Sequence, residues 1–144
     1  MAAVDYFLKL DGIVGDSSDN QHKDEIEVLS FSWGLSNTGP VSGGGGAGAG
    51  RASLQDFHFV ASFGKASPQL MLSCATGKHI REAVLSGRGA RGSADEFIKV
   101  RLSDLIVTSY QTGATDDAVP TDQFSLNFSK IEYAGSSFDA GKIE

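Results

Sequence analysis

The stretch Ser32–Asp56 reads S-W-G-L-S-N-T-G-P-V-S-G-G-G-G-A-G-A-G-R-A-S-L-Q-D. An aromatic-rich strand pattern ends at Trp33-Gly34, and a second opens at Ser53. Between them, six of the eight residues from Gly43 to Gly50 are glycine. Such a segment has little side chain to pack and loses much backbone entropy on ordering. A structureless connection of this length is uncommon inside a compact domain and is usually functional or disordered. The reading is a β-scaffold from which a glycine-rich loop, about 38–52, projects. If that loop is ordered at all, a neighbouring subunit orders it.

The flanking patterns support the scaffold. Glu25–Leu35 is the longest clear strand. Ile26 and Val28 point one way; Leu29, Phe31, Trp33 and Leu35 point the other. A switch of apolar face near Val28–Leu29 predicts a bulge or strong bend. Beyond it, Ser30, Ser32, Gly34 and Ser36 make a face of small, uncharged residues. Ser53–Phe63 places Phe57, Phe59, Ala61 and Phe63 on one side, with Asp56, His58 and Ser62 opposite. Val4–Leu10 reads as a first strand, and Asp11–Lys23 as a polar, turn-rich connection. His79–Ser86 is another strand, followed by a turn at Gly87–Gly92. Glu96–Tyr110 is one long strand or a broken pair. In Gln123–Tyr133, Phe124, Leu126 and Phe128 share a face, and the parity then flips to Ile131 and Tyr133.

One helix stands out. Ser67-Pro68 supplies an N-cap and a first-turn proline. Leu70, Met71, Cys74 and Ala75 form a short apolar stripe, and Gly77 ends it. The expected fold is mainly β: a two-sheet β-barrel or sandwich with one short flanking α-helix and the extended glycine-rich loop. The 144 residues suit a single domain, 1–144.

Composition narrows the function. Glycine, 18 of 144, exceeds the usual share of about 7%. A net charge of −6 with interspersed signs argues against a nucleic-acid surface, which needs a basic stripe. The lone Cys74 excludes an internal disulfide and a cysteine-cluster metal site. Asp5 and Lys9 interrupt any apolar N-terminal run, so a signal peptide is not expected, and no stretch reaches the length of a membrane helix.

Chemical motifs fail on context. Gly43-x-Gly45-x-x-Gly48 and Gly87-x-Gly89-x-x-Gly92 match a dinucleotide pattern, but both lead into β-patterned sequence rather than a helix. Gly45–Gly50 has the P-loop glycine spacing, but Arg51-Ala52 replaces the lysine and hydroxyl residue. His22, His58 and His79 form no paired ligand motif. Asp16, Asp19, His22 and Asp24 read as a solvated turn, not a calcium loop. Cys74 sits on the helix stripe as a buried residue. Arg88 and Arg91 read as a turn or a subunit contact. No catalytic residue, cofactor or metal site is expected.

From Leu8 to Gly34 the pattern L-K-L-D-G-I-V-G-D-S-S-D-N-Q-H-K-D-E-I-E-V-L-S-F-S-W-G resembles the haemolysin-coregulated protein (Hcp) family of type VI secretion tube proteins. The glycine run with Arg51 and Gln55-Asp56-Phe57, the helix S-P-Q-L-M-L-S-C-A-T-G-K-H from Ser67, and F-S-L-N-F-S-K-I-E-Y from Phe124 follow in the family's order. Family members often continue beyond the last strand with a segment containing Gly-Trp, where this chain has Gly141-Lys142-Ile143-Glu144.

The resemblance implies a non-enzymatic, ring-forming β-barrel subunit. Hexameric rings stack into a hollow tube, tipped by a spike protein and enclosed by a contractile sheath. The tube is expelled into target cells and carries or chaperones effector proteins. It also implies synthesis in the bacterial cytoplasm and export without a signal peptide, with no membrane insertion and no nucleic acid partner. In that setting Ser30, Ser32, Gly34 and Ser36 are expected to face the lumen. Gly43, Gly44, Gly45, Gly46, Gly48, Gly50 and Arg51 are expected to contact the next ring. The competing readings are a monomeric β-sandwich ligand-binding module and a phage-like tail-tube protein. Trp33, the only tryptophan, is expected in the core rather than exposed for sugar stacking.

Overall fold

Phenylalanine-rich alternation folds this chain into a wall that closes on itself. The computed structural model describes residues 4–37, 52–89, 96–133 and 136–139. Its elements are β1 (Asp5–Leu10), β2 (Ile26–Ser32), β3 (Leu35–Asn37), β4 (Ala52–Leu54), β5 (Phe57–Ser62), α1 (Ser67–Thr76), β6 (Ile80–Arg88), β7 (Glu96–Gly113), β8 (Thr121–Tyr133) and β9 (Ser136–Asp139). The main sheet runs β5-β2-β1-β6-β7-β8-β9, and an added β5–β8 pairing closes six of these strands into a barrel. Neighbouring strands are antiparallel throughout. β8 is long enough to serve two partners on one edge: its first half pairs β5 and its last four residues pair β9. β3 and β4 form a separate two-stranded ribbon.

The barrel interior holds Phe57, Phe59, Phe124 and Leu126, all essentially excluded from solvent. Phe59 stacks on Phe57 at 4.9 Å and on Phe124 at 5.3 Å. Trp33 is half-buried and lies over Phe57 at 5.8 Å.

The expected switch in β2 is present. Its register against β5 shifts between Val28 and Ser30, so Leu29 is the extra residue and stands 58% exposed. Leu29 therefore does not share the face of Phe31 and Trp33. The expected single strand Glu25–Leu35 is two strands, broken at Trp33-Gly34, and Leu35 is exposed on the ribbon. β7, not β2, is the longest strand, and it is continuous.

A second parity change crosses three strands in one row. Buried positions jump by three from Ile80 to Ala83, from Leu102 to Leu105 and from Phe128 to Ile131. Between them lie Arg81, Asp104 and Ser129. Asp104 adopts a left-handed conformation, φ 53°, which a short polar side chain tolerates better than most. Its carboxylate accepts from Ser129 Oγ (3.2 Å) and contacts His79 Nδ1 (3.0 Å). The flip expected in β8 is thus shared with its neighbours. Ile131 is buried as expected, whereas Tyr133 is 45% exposed beside Trp33.

Helix α1 packs against β7. Its cap differs from the expectation: Ala66 occupies the N-cap and Ser67 lies in the first turn. Ser67 is buried because its hydroxyl is bonded on both sides, accepting from Gly64 N–H (2.9 Å) and donating to Asp122. The buried stripe is Ser67, Leu70 and Ser73, while Met71 is exposed and Cys74 only partly covered. Gly77, φ 67°, closes the helix, and the following Lys78 N–H reaches the Ser73 carbonyl at 3.1 Å. Phe63, past the end of β5, is half exposed rather than internal.

The expected turn at Gly87 begins later, because Gly87 and Arg88 belong to β6. Gly87 pairs with Tyr6, and a Cβ there would lie 2.9 Å from the Tyr6 ring and 2.3 Å from Ile98 Cγ2. Glycine is required by that close approach, not by a turn. Arg88 forms a bidentate pair with Asp19 (2.6 and 3.0 Å), approaches Asp5 at 3.4 Å and covers Phe7. It is an internal clamp between β6 and the connection after β1. The Arg88 hydrogen bond holds the Asp19 carboxyl down to about 2. His22 belongs to the same corner and is buried rather than solvated, stacked on Phe7 at 4.3 Å with Nδ1 3.0 Å from Glu25.

Candidate functional site

The outward side of the consecutive strands β2-β5-β8-β7 carries mainly small polar groups, with Val60 among them and Ser125 covered by its neighbours. Register builds it row by row. Ser32 lies opposite His58, and His58 opposite Ser125. Ser125 in turn faces Ser109. In the adjacent row Ser30 meets Val60, Val60 meets Gln123, and Gln123 meets Gln111. The inward alternates of these strands are the core phenylalanines, so packing the core fixes which residues face out.

Hydrogen bonds knit the surface. Ser125 Oγ lies 2.7 Å from Thr108 Oγ1 and 2.5 Å from Ser109 Oγ. A register shift between Val107 and Ser109 brings both β7 hydroxyls to it. Asp56, the carboxylate at the start of β5, accepts from Thr108 Oγ1 (2.7 Å) and Asn127 Nδ2 (2.9 Å). No lysine or arginine occurs among these rows. A trough of about 460 Å³ runs between Ser32, His58, Ser109 and Gln111.

Beneath the trough, Tyr110 donates to Asp122 Oδ1 at 2.9 Å. Burial first, and the hydrogen bond to Asp122 second, raise the Tyr110 phenol above its ordinary value. Asp122 is buried with hydroxyl donors from α1 and β7. It ties the helix start to the back of the wall, where a carboxylate also suits the positive end of a helix.

The two flanks of this four-stranded surface are incomplete. β1 covers β2 only through Val28, and β6 covers β7 only through Leu105. Beyond those points, Ser30–Ser32 and residues 106–113 each carry one edge without a strand partner among the described residues. Unpaired strand edges are templates for another chain.

Of the residues singled out in the sequence, Ser30, Ser32 and Ser36 are exposed and Gly34 is partly covered. Ser30 and Ser32 belong to the surface, whereas Ser36 sits on the β3–β4 ribbon. Gly43, Gly44, Gly45, Gly46, Gly48, Gly50 and Arg51 lie outside the described residues, as does Arg91. The contributions of β5, β7 and β8 were missed as part of one surface. Each strand showed the signal, an uncharged polar parity opposite phenylalanine or valine, but nothing local reveals that β5 joins β2 to β8. Among the described residues, no group of three or more His, Cys, Asp or Glu is placed to hold a metal. No helix among them is long and apolar enough to cross a membrane.

The family described as "Type VI secretion system effector, Hcp" matches residues 7–134. The chain belongs to the Hcp family. Protein hcp1 of Pseudomonas aeruginosa is 38% identical over 133 residues, covering 90% of this chain and 82% of that protein. The crystal structure of Hcp1 from Salmonella typhimurium superposes with a TM-score of 0.83 at 32% identity, covering 99% of this chain and 98% of that one. A type VI secretion system effector from Yersinia pestis gives a TM-score of 0.78 at 28% identity, over 94% and 99% of the two chains. As an Hcp protein the chain is a structural subunit of type VI secretion, not an enzyme. Hcp proteins self-associate and work with the other parts of that system.

Proposed function

We propose that this chain is one domain, 1–144, that assembles head to tail into a hexameric ring whose lumen is the β2-β5-β8-β7 surface. The observation that carries the reading is the pair of unpartnered edges flanking that surface. The free edge of β7 on one copy is complementary to the free edge of β2 on the next. The up-down order of the four strands continues if those two edges meet antiparallel. Main-chain hydrogen bonds supply affinity in such strand addition, and a heterologous contact that closes stops growth within the ring.

The lumen is then a hydroxyl- and amide-lined channel including Ser30 and Ser32, with Gly34 and Ser36 continuing from it onto the adjoining β3–β4 ribbon. Such a surface is wettable and suits diverse effector cargo. The loop at 38–52 reaches the next ring, with Gly43, Gly44, Gly45, Gly46, Gly48 and Gly50 permitting close backbone approach and Arg51 pairing with an acidic group there. Stacked rings make the tube that a spike protein caps and a contractile sheath expels. The subunit is made in the bacterial cytoplasm and leaves through this apparatus.

Negative-stain microscopy and sedimentation of the purified full chain test the reading together. Annuli with a central hole and a mass of six copies are expected. Single chains at every concentration would overturn it. Deleting Gly43–Gly50 should spare annuli and stop tube growth; normal tubes from the deletion would remove the loop from the stacking contact.

A further inference from the structure

We propose that His58 makes the grip of this surface on cargo pH-dependent, selecting cargo segments rich in carboxylates when its imidazole is charged. The inference rests on the tube reading and concerns regulation of the same site.

The geometry sets one titratable cation, His58, among neutral groups and a single carboxylate, Asp56. His58 is exposed in the trough. From β2 it faces Ser30 and Ser32; from β8, Gln123 and Ser125; from β7, Ser109 and Gln111. None of these changes charge. Tyr110 also borders the trough, but its hydroxyl is committed to Asp122. On its own side of β5, Asp56 is the acidic group, and both its oxygens are engaged by Thr108 and Asn127. The imidazole thus has its polar edge available to a guest, and histidine is the side chain whose ordinary titration falls between pH 5 and 8. In a ring every copy contributes one such group to the same channel level, so a modest preference is multiplied by repetition.

The sign follows from linkage. A guest carboxylate stabilises the imidazolium, so binding is tight below the histidine range and weakens as pH rises through it. The expected loss of affinity across that range is about tenfold.

The test uses assembled full-length protein, checked for annuli in the same buffers, and rhodamine-labelled deca-glutamate and deca-serine peptides as probes. Fluorescence anisotropy at pH 5.5 and 8.0 should show about tenfold tighter binding of deca-glutamate at the lower pH and no such change for deca-serine. His58→Gln should assemble and lose the difference, whereas His79→Gln, outside the trough, should retain it. The inference is overturned if the wild type shows no pH difference or no binding, or if His58→Gln keeps the difference. Absence of annuli would instead sink the tube reading, and this inference with it.

Discussion

The two outward halves of the barrel share a core and a strand alternation but not a chemistry. Strands β2, β5, β8 and the end of β7 present serine, glutamine and asparagine. On the side formed by β1, β6 and the first half of β7 the exposed alternates are charged, and several are paired. Arg101 meets Glu82 at 3.0 Å, and Arg81 approaches Asp11 at 3.4 Å. Burial dictates only the inward residues. The outward residues are free of that constraint, and here they differ from strand to strand. The charged half is a solvated exterior, where ion pairs cost little and keep the acidic chain soluble. In the proposed ring, the half with few charges would avoid like-charge repulsion where its copies face one another. Strand closure differs in the same way, since β1 and β6 have both edges paired while the outer ends of β2 and β7 do not.

The largest expected effect comes from the core that both halves share. Phe57 is fully buried and touches the rings of Phe59, Trp33 and Phe31. Phe57→Ala should cost about 3–5 kcal/mol in urea unfolding and abolish assembly with it. A loss under about 1 kcal/mol would mean that the aromatic stack does not bear the barrel. Next comes a change confined to the neutral half. Ser32→Trp fills the trough without touching the core, so annuli should persist while co-purified effector drops about tenfold, the consequence of losing about 1.4 kcal/mol of contact energy. Unchanged effector recovery would take Ser32 out of the cargo surface.

The contrast between halves was legible strand by strand, but not as a surface. The alternation of Phe57, Phe59 and Ala61, like that of Phe124, Leu126 and Phe128, assigns each strand its inward face. The bulge at Leu29 follows from parity alone. What local pattern cannot encode is which strands become neighbours. β5 pairs with β8 across the whole helix and two strands, and only that contact unites Ser32, His58 and Ser125 on one wall. Gly87 misleads for a related reason. Its run of glycine and arginine has turn composition, yet its lack of a side chain answers to the Tyr6 ring on a distant strand. Ser67 looks like a cap because hydroxyls usually are, and it is drawn one position inward by Asp122, 55 residues away.

A third, smaller effect probes the clamp at the charged side. Asp19 is held near 2 by its hydrogen bonds to Arg88, below its ordinary 3.8. A depressed carboxyl contributes stability above its unfolded value and loses it as pH falls through the folded one. Asp19→Asn should therefore lower the urea midpoint at pH 7, and the gap from wild type should narrow as pH falls from about 4 towards 2. A gap that stays constant over that window would show that the Arg88 pair does not couple to folding.

The smallest effect is expected where the exterior looks most heavily bonded. Arg101 and Glu82 are joined at 3.0 Å, but their side chains are 49% and 43% exposed. At that exposure water and salt screen the attraction, and fixing two long side chains costs entropy that offsets it. Arg101→Ala should change unfolding free energy by about 0–1 kcal/mol, with the difference shrinking in 1 M salt, and should leave annuli intact. A larger loss that persisted in high salt would mean that the Arg101 stem packs on the barrel rather than merely pairing. The charged half would then bear load as the core does, and the distinction between a solvated exterior and a working wall would rest on shape rather than charge.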